Sequence, residues 1–184
     1  MSKVLVPLAE GFEEIEAVNI IDVLRRADIE VVVASLSKEM LVKGANGITI
    51  KADRSIAGLS ADDLTMVVLP GGWGGTNALA KDANVLKILK DMDAKGKHIG
   101  AICAAPFALE AAGVLKHNYT CYPSVEEQIR LDGYSDDAMV VEDANVMTSR
   151  GPATALCFAL AIVRKLKGDE AAEALKGGLL ASYC

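Results

Sequence analysis

The strongest constraint on the fold is an alternation of short apolar runs with longer helical patterns. Four runs rich in Val, Ile or Leu read KVLVPLA (3–9), IEVVVASL (29–36), LTMVVLPGG (64–72) and HIGAIC (98–103). Runs that are apolar at successive positions are typical of strands covered on both faces, and helices between them allow parallel pairing. The sequence therefore predicts an α/β fold with a doubly wound, mostly parallel sheet sandwiched by helices.

The remaining segments complete this pattern. Helices are predicted over about 13–27, 77–94 and 105–115, and two more over 152–167 and 169–182. MLVKGANGITIK (40–51) predicts a hairpin, NYTCY (118–122) a further strand, and MVVEDANVMTS (139–149) two strands joined by a tight turn.

Length and charge limit the classes of function. A chain of 184 residues with 52% hydrophobic residues can bury one substantial core, so we expect a single domain spanning 1–184. A formal net charge of −6 gives no general attraction to nucleic acid or anionic membranes, and we expect neither as a partner. The first apolar run is too short for a secretory or membrane-spanning segment, which predicts a cytoplasmic protein.

The cysteines show no spacing typical of a metal site or a disulfide framework. Cys103, Cys121, Cys157 and Cys184 are scattered without a CxxC pair, so we expect mostly reduced thiols and no metal. The segment GGWGG lacks the glycine spacing of a dinucleotide-binding loop, and no phosphate loop is visible. We therefore expect no cofactor.

Ligands of open parallel sheets bind outside the carboxyl ends of the strands. The segments that follow predicted strands there are AEGFEEIE (9–16), PGGWGG (70–75), CAAP (103–106) and SRGP (149–152), joined by Tyr122 at the end of NYTCY. These segments are the candidates for a functional site.

Cys103 lies at a predicted strand-to-helix elbow, the position that a nucleophile takes in α/β hydrolases, although AICAAP is not their motif. A thiol at a helix amino end faces unpaired backbone N–H groups and the positive end of the helix dipole, and both favour the thiolate. A cysteine in an apolar run is more often a small buried hydrophobic residue. In Cys103 it is the position at the elbow that favours a nucleophile instead. The other three cysteines lack such a position.

Four motifs in order resemble those of the ThiJ/PfpI superfamily, and most of all its parkinsonism-associated DJ-1 branch. They are EGFEEIEAVNIIDVLRRA near the start, LPGG, AICAAP, and TSRGPATALCFALAIV near the end. The resemblance implies a flavodoxin-like fold, similar to that of class I glutamine amidotransferases. It also implies a homodimer.

The resemblance assigns roles to individual residues. Cys103 would be the reactive nucleophile, Glu16 the carboxyl group beside its sulfur, and Gly72 and Ala104 the residues whose backbone N–H groups face a developing oxyanion. Glu16 lies one turn into the first helix, where a carboxyl leaning toward the strand end would be buried and its pKa raised. The alternative is an ordinary solvated helix acid.

Gly71, Tyr122 and Arg150 are the predicted substrate-binding residues. Tyr122 stands where some relatives carry a histidine; a tyrosine can orient a substrate but is a poor base at neutral pH, which argues against a cysteine protease. Arg150 has two readings: it binds an anionic group, or it makes a structural hydrogen bond to loop carbonyls. His98 and His117 begin their predicted strands, at the wrong edge to reach Cys103.

Two functions of different classes remain open. The resemblance implies a cofactor-independent glyoxalase or deglycase-like enzyme acting on reactive dicarbonyls such as methylglyoxal, or on early glycation adducts. The alternative is an oxidative-stress sensor or redox-regulated chaperone that forms a sulfinate at Cys103. The hairpin positions at which some relatives carry additional cysteines and an arginine are Gly44, Lys51 and Asn46 here, so Cys103 would act alone.

The first helix adds an observation on assembly. It carries more apolar residues around its circumference than one sheet-facing stripe requires, which is consistent with the implied homodimer. These residues are Ile15, Val18, Ile20, Ile21 and Leu24. The alternative is that the helix sandwich of a single chain buries this surplus.

Overall fold

The computed structural model describes residues 2–184 and is built on a seven-stranded sheet. In chain order its strands are β1 (Lys3–Leu8), β2 (Glu30–Ser35), β5 (Arg54–Ser55), β6 (Met66–Leu69), β7 (His98–Ile102), β8 (Val140–Asp143) and β9 (Val146–Ser149). A separate two-stranded hairpin consists of β3 (Leu41–Lys43) and β4 (Thr49–Lys51). The large sheet has the order β5-β2-β1-β6-β7-β9-β8, and only β8 runs antiparallel to its neighbour. The predicted doubly wound, mostly parallel fold is confirmed.

Within residues 2–184, six α-helices pack on the faces of the sheet or on one another. They are α1 (Glu14–Arg26), α2 (Trp73–Leu79), α3 (Ala83–Ala94), α4 (Pro106–Ala112), α5 (Ala155–Lys167) and α6 (Asp169–Gly178). α1 packs on α5 and α5 on α6, while α3 and α2 pack on α4. The helices therefore form two layers, one on each face of the sheet.

Each face of the sheet has its own core, because side chains alternate between the faces of a strand. In β1, Val4, Val6 and Leu8 pack into the core under α1 and α5. Leu5 of the same strand packs into the core under α3 and α4. This two-sided burial explains why the strand is apolar at successive positions.

α1 begins with a capping arrangement that fixes the direction of Glu16. The Glu13 carboxylate accepts a hydrogen bond from the Glu16 backbone N–H at 2.8 Å, and acids in the first turn with arginines in the last suit the helix dipole. Of the five apolar residues noted above, Ile20, Ile21 and Leu24 are buried within the chain, whereas Ile15 and Val18 are exposed.

The predicted helix over 77–94 is wrong in one respect: the chain forms two helices there. α2 begins at Trp73, and the Asp82 side chain starts α3 by accepting hydrogen bonds from the backbone of Asn84 and Val85 at 2.9 and 3.0 Å. Asp is a preferred N-cap residue because it satisfies backbone donors that the first turn leaves free.

NYTCY does not form a strand, contrary to prediction. The edge of β7 that faces away from β6 is paired with β9, so residues 118–122 have no strand edge there with which to pair. Tyr119 makes one isolated bridge to Tyr134. The hairpin over 40–51 and the paired strands over 139–149 are confirmed.

The expectation of reduced thiols is wrong for two of the four cysteines. Cys157 and Cys184 are joined by a disulfide with their Cα atoms 5.0 Å apart, whereas Cys103 and Cys121 are free and buried. Their spacing, 27 residues apart, gave no sign of this pairing.

Candidate active site

The site is built where three neighbouring parallel strands end. β1 leads into α1 and Glu16, β6 leads to Gly71 and Gly72, and β7 leads to Cys103. Because the carboxyl ends of parallel strands meet at one edge, residues separated by more than fifty positions in sequence come together.

Cys103 occupies a strained elbow. Its φ is 64°, in the left-handed region that non-glycine residues rarely adopt. Two hydrogen bonds hold it there: the Cys103 N–H donates to the Ser149 carbonyl at 3.0 Å, and the Tyr122 N–H donates to the Cys103 carbonyl at 2.9 Å. The ends of β9 and the 118–122 segment thus fix the orientation of the thiol.

Gly71 lies where the Cys103 side chain and the Glu16 carboxyl group meet. A Cβ atom added there would lie 2.7 Å from Cys103 Cβ and 2.7 Å from Glu16 Oε2. No side chain fits between them, so the missing side chain of Gly71 is what allows Glu16 and Cys103 to approach.

Glu16 is fully buried, and its two oxygens differ. Oε2 accepts a hydrogen bond from the Gly71 N–H at 2.7 Å, whereas Oε1 is buried without a hydrogen-bond partner in the described residues. Burial raises the pKa of Glu16 to about 7, although the Gly71 hydrogen bond lowers it. Near neutral pH this carboxyl group therefore exists in both protonation states.

The thiol of Cys103 does not show the simple acidity that its elbow position predicts. Burial raises its pKa most, and the negative charge of ionised Glu16 raises it further, while the backbone N–H groups of Gly72 and Ala104 lower it. Burial and the Glu16 charge together outweigh the two N–H groups, so the expectation that the elbow position lowers the pKa of this thiol is wrong. The structure does bring the two predicted oxyanion donors, Gly72 and Ala104, to the sulfur.

Gly72, like Gly71, occupies a position at which a side chain would not fit. Its φ is 85°, and a Cβ there would lie 2.4 Å from the Gly11 carbonyl oxygen. The loop before α1 consequently lies directly against the start of α2, which places the Gly72 N–H beside the site.

The three predicted substrate-binding residues lie in different settings. Tyr122 is 49% exposed and packs close to Gly151, at the rim beside the Cys103 backbone. Arg150 donates a hydrogen bond from Nη1 to the Asp136 carbonyl at 2.8 Å, which is the second of its two readings. The Gly71 N–H donates to Glu16 Oε2 at 2.7 Å, and the space beside its Cα is filled by the Cys103 and Glu16 side chains.

Comparisons with known proteins fit this geometry. The model of the DJ-1/PfpI family matches residues 2–165. The chain belongs to this family. It is 44% identical to protein dj-1beta of Drosophila melanogaster over 187 residues, covering all of both chains. The crystal structure of Drosophila melanogaster DJ-1beta superposes with a TM-score of 0.94 at 44% identity over 98% of each chain.

Another DJ-1/PfpI relative is named for an activity. The chain is 38% identical over 168 residues to the glutathione-independent glyoxalase DJR-1.2 of Caenorhabditis elegans, covering 90% of this chain and 89% of that protein. The family prediction from the four motifs is confirmed.

Glu14 is a residue of this DJ-1/PfpI chain whose role the sequence concealed. Its carboxylate is buried and accepts hydrogen bonds from the Asn46 backbone at 2.6 Å, the Asn46 side chain at 3.0 Å and the Ile48 backbone at 3.3 Å. Burial raises its pKa, but the Asn46 and Ile48 hydrogen bonds outweigh burial and lower it. Glu14 thereby fastens the β3–β4 turn to the start of α1.

An aromatic pair flanks the site and was also missed. Trp73, directly after Gly72, meets Phe107 at the start of α4 edge to face, with ring centroids 5.8 Å apart. The pair joins the two segments whose backbone N–H groups face the Cys103 sulfur. A lone tryptophan in GGWGG was the available signal.

Neither histidine enters the site. His98 begins β7, at the opposite end of the strand from Cys103, as predicted. Among residues 2–184 no three His, Cys, Asp or Glu side chains are grouped to hold a metal ion. No helix in that range is both long and apolar enough to cross a membrane.

Proposed function

We propose that this protein is a cofactor-independent glyoxalase that converts reactive dicarbonyls such as methylglyoxal into 2-hydroxy acids, with early glycation adducts as related substrates. The observation that carries the proposal is the buried Glu16 carboxyl beside Cys103, with one oxygen held by Gly71 and the other without a hydrogen-bond partner. A relative at 38% identity that is named a glutathione-independent glyoxalase supports the same chemistry.

The first step requires Cys103 as thiolate and Glu16 protonated. Burial still raises the pKa of Cys103 when the proton is on Glu16, but the negative charge of Glu16 no longer adds to it, and the Gly72 and Ala104 N–H groups stabilise the sulfur anion. The thiolate adds to the aldehyde carbon and forms a C–S bond. The resulting alkoxide is stabilised by the same N–H groups and takes the proton of Glu16, which gives a hemithioacetal and leaves Glu16 ionised.

The second step moves a proton between adjacent carbons. Ionised Glu16 removes the proton from the former aldehyde carbon, and the electron pair of that C–H bond forms a C=C bond while the neighbouring carbonyl oxygen becomes negative. The hydroxyl proton of the hemithioacetal passes to that oxygen, and Glu16 returns its proton to the carbon that bears this oxygen, which gives the thioester of a 2-hydroxy acid. Water then cleaves the thioester, releasing the acid and regenerating the thiol. A pKa of about 7 suits Glu16 to give and take a proton at neutral pH.

Two rim residues are assigned to substrate orientation. Tyr122 lies beside the elbow and is half exposed, so a substrate carbonyl can reach its hydroxyl. Arg150 contacts the carbonyl and carboxylate oxygens of Asp136, so it would bind an anionic group of the substrate only after these contacts break.

The deciding experiment measures lactate formed from methylglyoxal by wild type, Cys103→Ser, Glu16→Gln and the exposed-site control Glu170→Gln. Loss of general acid–base help predicts a fall of about 10²–10⁴ for Glu16→Gln, with Cys103 still alkylated by iodoacetamide. The control should match wild type. Near wild-type turnover in Glu16→Gln would remove Glu16 from the mechanism.

The same geometry favours a redox role as second candidate. Peroxide can oxidise the Cys103 thiolate to a sulfenate and a second peroxide can take it to a sulfinate, each step releasing water. The Gly72 and Ala104 N–H groups and protonated Glu16 would then donate to the sulfinate oxygens. If wild type turns over no faster than Cys103→Ser, the glyoxalase assignment fails and this role becomes the better one.

We also propose that the chain pairs as a homodimer through α1. Ile15 and Val18 are 54% and 48% exposed on that helix, and Ile48 of the adjoining turn is 58% exposed. Burial of such residues stabilises association. Light scattering should give twice the chain mass for wild type and a monomer for Val18→Glu; a monomeric wild type at all concentrations would contradict the pairing.

A further inference from the structure

The Cys157–Cys184 disulfide joins a well-packed helix to a weakly held segment. Cys157 belongs to the buried face of α5, which packs against α1, and it is 7% exposed. Cys184 is half-buried and closes the short segment 179–184, in which Leu180 and Tyr183 are exposed. The covalent bond therefore connects two regions of very different packing.

Few residues of this region are fully buried, although α6 packs on α5. Ala172 is the one fully buried residue of α6 and Ala181 the one in segment 179–184, while Ala171, Leu175 and Leu179 pack against the core partly buried. Arg164 of α5 forms ion pairs with Asp169 and Glu173 at 2.9 and 2.6 Å, but these side chains are half-exposed or more, and such pairs stabilise little. The disulfide thus adds a covalent link to a region that is otherwise held by partly buried apolar residues and two buried alanines.

We propose that Cys157 and Cys184 form a second redox-active site, distinct from Cys103, at which glutathione-class thiols and disulfides open and close the link between α5 and segment 179–184. This proposal does not depend on the proposed glyoxalase activity. It identifies a modification site whose co-reactant is a low-molecular-weight thiol or its disulfide.

The chemistry is thiol–disulfide exchange. A glutathione thiolate attacks the sulfur of Cys184, the more exposed residue of the pair; the Cys157–Cys184 bond breaks, and Cys157 leaves as a thiolate that takes a proton. A second glutathione thiolate attacks the glutathione sulfur of the mixed disulfide and frees Cys184. In total, one protein disulfide and two thiols become two protein thiols and one oxidised glutathione, and the reverse reaction closes the bond.

Opening the bond should loosen one region only. Without the cross-link, α6 and segment 179–184 keep two buried alanines, the partly buried Ala171, Leu175 and Leu179, and exposed ion pairs, so they should unfold locally at a lower free energy than the fully buried sheet. The strands β1 and β6 lie in the buried cores and do not depend on the link.

The test equilibrates the full chain in buffers of varied reduced-to-oxidised glutathione ratio and maps thiols by differential alkylation and mass spectrometry. Cys157 and Cys184 should change together as a two-electron couple. In the reduced form, amide hydrogen exchange over 169–184 should accelerate by about tenfold or more, with β1 and β6 unchanged. Cys184→Ser should exchange fast at every ratio, and the matched control Cys121→Ser should retain the transition.

Several results would overturn the proposal. These are free Cys157 and Cys184 at all ratios, a bond that excess reduced glutathione does not open in the folded chain, or equal exchange over 169–184 in both forms. A non-reducing gel showing Cys184 bonded to a second chain would do the same. Cys157→Ser serves as the second variant should Cys184→Ser fold poorly. Turnover by Cys184→Ser should equal that of wild type, so this proposal and the glyoxalase proposal fail separately.

Discussion

Replacement of Glu16 by glutamine should flatten the pH dependence of folding stability. An unfolded glutamate titrates near 4.5, whereas burial raises the pKa of Glu16 to about 7 in the folded chain. Between these values the folded chain binds more protons than the unfolded chain, so rising pH favours unfolding. The contribution of Glu16 to stability is complete below pH 4.5 and is lost as the pH rises through about 7.

The size of the effect follows from the two pKa values. A rise from 4.5 to about 7 corresponds to a loss of about 3 kcal/mol in the free energy of unfolding between pH 4.5 and pH 8. Glu16 is fully buried, so solvent screening does not reduce this figure appreciably. Glutamine can still accept the hydrogen bond from Gly71, but it does not titrate.

Urea unfolding at several pH values from about 4.5 to 8 gives the measurement. Over this range wild type should lose about 3 kcal/mol more than Glu16→Gln, and Glu170→Gln, which changes an exposed acid, should follow wild type. Subtracting the change in the free energy of unfolding of Glu16→Gln from that of wild type removes the contributions of the groups that titrate alike in both proteins. Parallel curves for wild type and Glu16→Gln would refute the buried, proton-binding Glu16.

Further predictions concern the surroundings of Glu16. Gly71→Ala should abolish turnover and destabilise the fold by about 1–3 kcal/mol, since its Cβ would overlap two site side chains, whereas Gly178→Ala, with nothing within 4 Å of the new Cβ, should be tolerated; denaturation and turnover assays check both. Glu14→Ala should cost about 3 kcal/mol and speed hydrogen exchange over 44–48, because buried donors lose their acceptor; unchanged exchange there would contradict this role. Iodoacetamide should modify Cys103 before Cys121, since only the former retains exposure, and peptide mapping that finds the reverse order would disprove it.

The sheet was predictable because its signal is local. Successive apolar residues in β1, β2, β6 and β7 report burial on both faces, and the order of strands and helices then fixes parallel pairing. NYTCY failed because a strand needs a free partner edge, and the edge of β7 is occupied by β9. No property of those five residues reveals that competition.

The site was predictable where chain position decides it and hidden where distant contacts do. Cys103 was found from the strand-to-helix change, since an elbow at the carboxyl end of a strand faces the ligand edge. The raised pKa of Cys103 was not predicted from position, because the residues that bury the thiol and the charge of Glu16 come from elsewhere in the fold. Glu14 resembles any acid of a first helical turn, and its hydrogen-bond partners lie 32 and 34 residues away.

The meeting of Glu16, Gly71 and Cys103 at three strand ends has a consequence for folding kinetics. Each residue comes from a different βα unit, so the thiol gains its carboxyl neighbour only after β1, β6 and β7 have paired over long sequence separations. During refolding, recovery of turnover should follow the formation of helices rather than accompany it. The loss of Cys103 reactivity toward an alkylating reagent during refolding then reports when the central sheet assembles.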